Sequence, residues 1–148
     1  ELWQVANVFR DDALHATERL ETFSLFLFLK LWDEIALEEE ETAKGRKIPD
    51  SEQLIPEPYR FHNWADDPDA YAKKNNYEDS IDFCKQMFNH LATRTSKHPA
   101  GRDVQRLFKD TVFRLRYTTT VRALVSRLKD LNLREIMSRG ARSFRVGA

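Results

Sequence analysis

Residues 22–41, TFSLFLFLKLWDEIALEEEE, must cross a membrane, line a helical core or meet a partner, and the rest of the chain is organised around the answer. Six of the seven residues from Phe23 to Leu29 are large and apolar, but Ser24, Lys30, Asp33 and Glu34 interrupt the run. A membrane helix needs about 20 apolar residues in succession, so the stretch is too broken to span one. Leu20, Phe23, Leu27, Leu31 and Ile35 recur at steps of three and four, and Phe26, Leu29 and Leu37 widen that stripe to nearly the whole circumference. A helix apolar almost all round is buried on most sides, which predicts a long central core helix. On that reading Leu27 is a core residue, and truncating it to alanine costs about 2–5 kcal/mol. The four glutamates at 38–41 occupy consecutive helical positions that point in different directions. They read as a solvated helix end rather than a cation site, with Gly45 as the stop.

Working outward, Leu2, Val5 and Phe9 stand three to four apart and predict a short opening helix before Asp11 and Asp12. On the other side, residues 48–77 hold Pro49, Pro56, Pro58 and Pro68 without a helical period, which predicts an ordered, non-helical connector. Its Tyr59, Phe61, Trp64 and Tyr71 are costly to leave in water and are expected to pack over the central helix. Interleaved with Arg60 and His62, the same rings also suit stacking on nucleic-acid bases. Ile81, Cys84, Met87, Phe88 and Leu91 then mark a second amphipathic helix, with Asn76 or Asp79 as its cap. Val104, Leu107 and Phe108 mark a short helix, and Val112, Phe113 and Leu115 an extended link. Val121, Leu124, Val125 and Leu128 form the stripe of a third substantial helix, with Thr118 or Thr119 as N-cap. No alternating pattern paired by hairpin turns occurs. The expected fold is all-α, a compact helical domain with a long buried central helix and a Pro/aromatic-rich connector.

The net charge of zero conceals an asymmetry: residues 1–93 carry 10 basic and 20 acidic side chains, and residues 94–148 carry 14 and 4. Two readings follow, in which the basic half either neutralises the acidic half on folding or faces a polyanion such as DNA. The opening residues lack the basic start, apolar middle and small-residue cleavage site of a secretory signal, and the single cysteine, Cys84, fits a reducing compartment, so a cytoplasmic location is expected.

The search for chemistry returns mostly exclusions. His15, His62, His90 and His98 lie in different elements, and none pairs with Cys84 or another histidine at zinc-ligand spacing. Four glycines, Gly45, Gly101, Gly140 and Gly147, form no phosphate-cradling loop. Ser51, Ser80 and Ser96 sit in no nucleophile elbow. No catalytic, cofactor-binding or metal-binding residue is therefore assigned within this chain.

Three phrases together resemble a known family: FSLFLFLKLWDE on the long helix, LIPEPYRFHNW after the acidic break, and VRALVSRLKDLNL near the end. This combination is similar to the helical N-terminal domain of the modification (methyltransferase) subunit of type I restriction-modification systems. Ile55, Pro56, Glu57, Tyr59, Arg60 and Phe61 are its most specific part, because apolar helices alone are common. The resemblance implies that residues 1–133 are such a domain; residues 134–148, REIMSRGARSFRVGA after LKDLNL, depart from the family's usual continuation and read as a basic tail or the truncated start of the linker to a catalytic domain. It also implies that the complete subunit is an adenine-N6 DNA methyltransferase that uses S-adenosylmethionine. Its Gly-containing cofactor motif and Asn-Pro-Pro-Phe-type motif are absent here, so the base-flipping chemistry belongs to residues outside this chain. The implied partners are DNA, the specificity and restriction subunits and a second modification subunit, with no membrane. The implied roles are subunit assembly and sequence-independent enclosure of DNA.

Arg114, Arg116, Arg122, Arg127 and Lys129 flank the stripe of the third helix and are the candidate DNA contacts. With Leu124 and Leu128 inward, Arg122 and Lys129, seven apart, share an outer strip. A free-standing helical interaction module, binding protein or nucleic acid through its basic half, is the alternative.

Overall fold

A computed structural model describes residues 15–131. The opening helix expected at Leu2, Val5 and Phe9 and the tail at residues 134–148 lie outside the described residues. Within them the chain is all-α, with six helices and no strand.

Helix α1, Ala16–Thr42, is 27 residues long and extends for about 40 Å at 1.5 Å per residue. At its start the backbone N–H of His15 donates to the Glu18 carboxylate at 3.2 Å. At its end Lys44 and Gly45 adopt positive φ, 51° and 83°. The left-handed conformation is cheap for glycine, so the expected stop at Gly45 is in place.

The inward arc of α1 differs from the expected stripe. The buried residues are Thr22, Leu25, Phe26, Leu29, Lys30, Asp33 and Ala36. Of the expected stripe, Leu20 is 62% exposed and Ile35 36%, while Phe23, Leu27 and Leu31 are only partly buried. The reason is polar: Lys30 and Asp33 each find distant partners on the inward side, and helix geometry then turns Leu20 and Ile35 outward. Leu27→Ala is accordingly expected to cost about 1 kcal/mol, roughly half the full burial of a leucine side chain. Urea unfolding checks it, and a loss above about 2 kcal/mol would return Leu27 to the core.

The connector is more helical than expected. It contains 3-10 turns at Asp50–Glu52 and Glu57–Tyr59, the short helix α2, Phe61–Trp64, and the two-turn helix α3, Pro68–Lys74. The Asp67 carboxylate accepts the backbone N–H of Ala70 at 3.0 Å, and Pro68 occupies the first turn, where its missing N–H is not needed. This proline starts a helix instead of breaking one.

Of the connector aromatics, Trp64 packs on α1 as expected, while Tyr59 and Tyr71 pack instead on Phe83 further along the chain. Trp64 is fully buried, with ring centroids 6.4 Å from Phe26, 5.0 Å from Phe61 and 5.8 Å from Phe83. Tyr59, Tyr71 and Tyr77 surround Phe83 at 6.0, 5.4 and 5.2 Å. Base stacking by Arg60, Phe61 and Trp64 is overturned, because Arg60 and Trp64 are fully buried and Phe61 nearly so, whereas Tyr59 and Tyr71 are half-buried and His62 is exposed.

Helix α4, Ser80–Thr93, is capped by Asp79, whose carboxylate accepts the N–H of Asp82 at 2.8 Å. It buries all five expected residues, Ile81, Cys84, Met87, Phe88 and Leu91, together with Phe83. Helix α5, Gly101–Lys109, packs Phe108 edge-on against Phe88 with centroids 4.9 Å apart. Its first residue must be small, since a Cβ on Gly101 would lie 2.7 Å from that of Ser96. An extended link containing Val112, Phe113 and Leu115 leads to helix α6, Thr118–Lys129. The cap of α6 is Tyr117, in extended conformation and without a side-chain cap bond, one residue before the expected Thr118 or Thr119. Tyr117 already has the extended backbone an N-cap needs, so both threonines become helical.

Candidate nucleic-acid interface

Helix α6 carries three of the five candidate contacts, Arg122, Arg127 and Lys129, and its inward face fixes where they point, while Arg114 and Arg116 lie on the link before it. Val121, Leu124, Val125 and Leu128 are all fully buried, as their spacing predicts. Arg122, Arg127 and Lys129 are consequently exposed. The end of the helix is held by Lys30 of α1, whose ammonium donates to the carbonyls of Leu128, Lys129 and Leu131. The last carbonyls of a helix have no intrahelical partner and carry partial negative charge, so a buried cation is well matched to them. Burial lowers the Lys30 pKa from its ordinary value, against the opposing pull of Glu34 and Asp130.

Arg114, Arg122 and Lys129 meet carboxylates from the acidic half. Arg114 Nη1 lies 2.8 Å from Glu18 Oε2, at the first turn of α1. Arg122 Nη2 lies 3.0 Å from Asp69 Oδ2, and Lys129 Nζ lies 2.5 Å from Asp66 Oδ1. The Lys129 hydrogen bond and charge hold the Asp66 carboxyl below the usual carboxylate range. Arg116 and Arg127 are exposed. The fold thus unites Arg122 and Lys129 over one acidic turn, residues 66–69, and sends Arg114 to a different one. Sequence reasoning missed Glu18, Asp66 and Asp69. The charge asymmetry signalled that acids and bases would meet, but not which ones.

A second polar cluster lies beneath the connector. The Arg60 side chain is fully buried and donates from Nε to Asp33 Oδ1 at 2.7 Å and from Nη1 to Glu40 Oε1 at 2.6 Å and Glu57 Oε2 at 3.3 Å. Burial pulls its pKa down, but the bonds to Glu40 and Asp33 outweigh that and hold it above the ordinary value. Asp33 also accepts the backbone N–H of His62 at 3.1 Å and lies 2.8 Å from His62 Nδ1. The expected solvated end of α1 is corrected in part, because Glu40 binds Arg60 and Glu39 sits 2.9 Å from His98 Nε2. These glutamates project in different directions, as consecutive helical positions must, and two of those directions lead to nitrogen-bearing side chains, Arg60 and His98.

This cluster ties the connector to α1 and presents no nucleophile beside a base. Cys84 is fully buried, and burial pushes its thiol pKa far up, so thiolate chemistry is suppressed. Among the described residues no group of three or more His, Cys, Asp or Glu side chains is placed to hold a metal, and no helix is long and apolar enough to cross a membrane. A groove of about 940 Å³ beside the end of α1 is lined by Ile35, Glu38, Lys47, Ile48, Lys97 and His98 among others, a mixture of both charge signs with no catalytic pairing.

A family model described as the HsdM N-terminal domain matches residues 1–135 of the chain. No curated protein and no solved structure matches it.

Proposed function

This chain belongs to the HsdM N-terminal domain family and is therefore part of a modification subunit of a type I restriction-modification system, and from that premise we propose that it is a non-catalytic domain serving subunit assembly and sequence-independent DNA enclosure. Its partners on this reading are the specificity and restriction subunits, a second modification subunit and DNA, in the cytoplasm. The complete subunit methylates adenine at N6 with S-adenosylmethionine, and that cofactor is bound outside this chain. Residues 1–133 constitute the domain on this reading, and residues 134–148 are a basic tail or the truncated start of a linker.

The outer strip of α6 carries the DNA reading. Arg122 and Lys129 are seven positions, or about 10 Å, apart on an exposed face of a helix whose end is clamped by Lys30. The Lys129–Asp66 pair is solvent-exposed, and such pairs are worth only about 0–1 kcal/mol, so its exchange for phosphate costs little; at the second pair Arg122 is 58% exposed and Asp69 25%, so the cation is the accessible partner. Arginine and lysine without neighbouring Asn or Gln offer phosphate contact and no base code, which suits a part that encloses DNA while another subunit reads its sequence.

Arg122→Glu with Lys129→Glu in the complete methyltransferase is expected to weaken binding to target and non-target duplexes alike. Each lost phosphate contact flattens the dependence of log affinity on log salt by about 0.9. A double variant that melts earlier but keeps its salt slope would mean that the cations serve only to hold residues 66–69, and the DNA reading would be abandoned.

A further inference from the structure

We propose that Asp66 and Asp69 are a built-in competitor for phosphate, occupying Lys129 and Arg122 in the free protein and displaced when DNA binds; this rests on the DNA reading given above. The two acids are presented by a turn that is fixed on both sides. Trp64 is fully buried and Ala65 nearly so, Pro68 is buried, and Asp67 is already engaged as the N-cap of α3. Of the three acids in the turn, only Asp66 and Asp69 are left to face α6, and each takes one of its outward cations, at 2.5 Å and 3.0 Å. Packing places the acids here: α3 and α6 are neighbours in the fold, and the turn lies at the start of α3.

The Asp66–Lys129 pair is the more open of the two, since Asp69 is only 25% exposed. The Asp66 side chain is 88% exposed, and its Lys129 partner 40%. A groove of about 510 Å³ lined by Asp66, Asp67, Asp69, Ala70, Lys73 and Arg122 admits an incoming anion at the Arg122–Asp69 pair. Once released, Asp69 keeps a favourable position, because it stands in the first turn of α3, where a carboxylate complements the helix dipole. Three acids and three bases meet around this groove, counting Lys73 and Lys129 with Arg122, so the patch is neutral until a stronger anion arrives. A polyphosphate chain, with charge repeating along its length, replaces both carboxylates at once, whereas a monovalent anion replaces one. Weak binding to scattered anions and firm binding to a duplex follow from the same arrangement.

Asp66→Asn with Asp69→Asn in the complete methyltransferase, titrated with a short duplex lacking the recognition sequence at low salt, tests the proposal. The exposed Asp66–Lys129 pair that no longer has to be broken returns a factor of up to about five, and with the less exposed Asp69 pair also removed the double variant is expected to bind roughly tenfold tighter. Asp66→Asn alone, at a position too exposed to disturb the fold, is expected to give a smaller gain in the same direction. The gain must vanish when Arg122→Glu and Lys129→Glu are added. Unchanged or weaker binding in both Asn variants, while the Arg122 and Lys129 reversals still weaken the parent protein, overturns the competitor and leaves the DNA reading standing. DNA affinity indifferent to all four substitutions overturns both.

Discussion

Arg60→Ala is expected to lower the unfolding free energy by about 3–5 kcal/mol, because it breaks a buried ion pair and leaves one charge behind. The guanidinium is fully buried between α1 and the connector, and Asp33, the most buried of its three carboxylate partners, is itself only 5% exposed. Removing the cation leaves Asp33 enclosed with His62 as its remaining side-chain partner. At about 2–4 °C per kcal/mol for a chain of this size, the melting temperature should fall by on the order of 10 °C. Arg60→Lys should recover little, since an ammonium cannot reach Asp33 and Glu40 through two separate nitrogens as the guanidinium does. Glu40 is 45% exposed and Glu57 54%, so their alanine variants should each cost no more than about 1 kcal/mol. Replacing the pair together, Asp33→Leu with Arg60→Met, should be milder than Arg60→Ala, because no unpaired charge then remains inside. Guanidinium-chloride unfolding measures all of these. A loss below about 1 kcal/mol for Arg60→Ala would mean that water reaches Asp33.

Trp64→Ala carries the second large effect, about 3–5 kcal/mol from lost transfer energy and the cavity left behind. The indole bridges Phe26 of α1, Phe61 of α2 and Phe83 of α4, so three elements lose a shared neighbour. Its Nε1 also donates to the Tyr59 carbonyl at 2.9 Å. Trp64→Phe separates the two contributions: it keeps much of the ring volume but leaves that carbonyl without its donor, for a loss of about 1–3 kcal/mol. Equal losses for the two variants would place the effect in the hydrogen bond and not in packing. An unchanged denaturant slope is required for either comparison, because only then do both variants unfold from a native state of the same compactness.

Both effects converge on the segment that also carries the most specific family phrase, residues 55–61. Arg60 belongs to that phrase, and the structure explains its demand for arginine. A side chain buried against Asp33 and reaching Glu40 needs several nitrogens on one rigid plane. The phrase is thus a fastening between connector and long helix.

Local spacing alone determined that the chain is all-α, that α4 and α6 exist, and which of their residues go inward, because an apolar stripe at helical period has only one way to leave water. It also determined that Arg122 and Lys129 share an outer strip, since Leu124 and Leu128 leave them no other. Three matters were decided only by the tertiary structure. The inward arc of α1 was one: with apolar residues nearly all round, the arc was chosen by Lys30, whose carbonyl acceptors lie about a hundred residues further on, and by Asp33, whose partner Arg60 is 27 residues away. The start of α3 was another, where Pro68 initiates a helix because Asp67 caps it and Ala72 is buried against the core. The third was the company of the basic strip, Asp69 being 53 residues from Arg122 along the chain. Periodicity is a property of neighbours in sequence, whereas an ion pair or a buried cap depends on which distant segment the fold brings within 3 Å, and no local pattern encodes that distance.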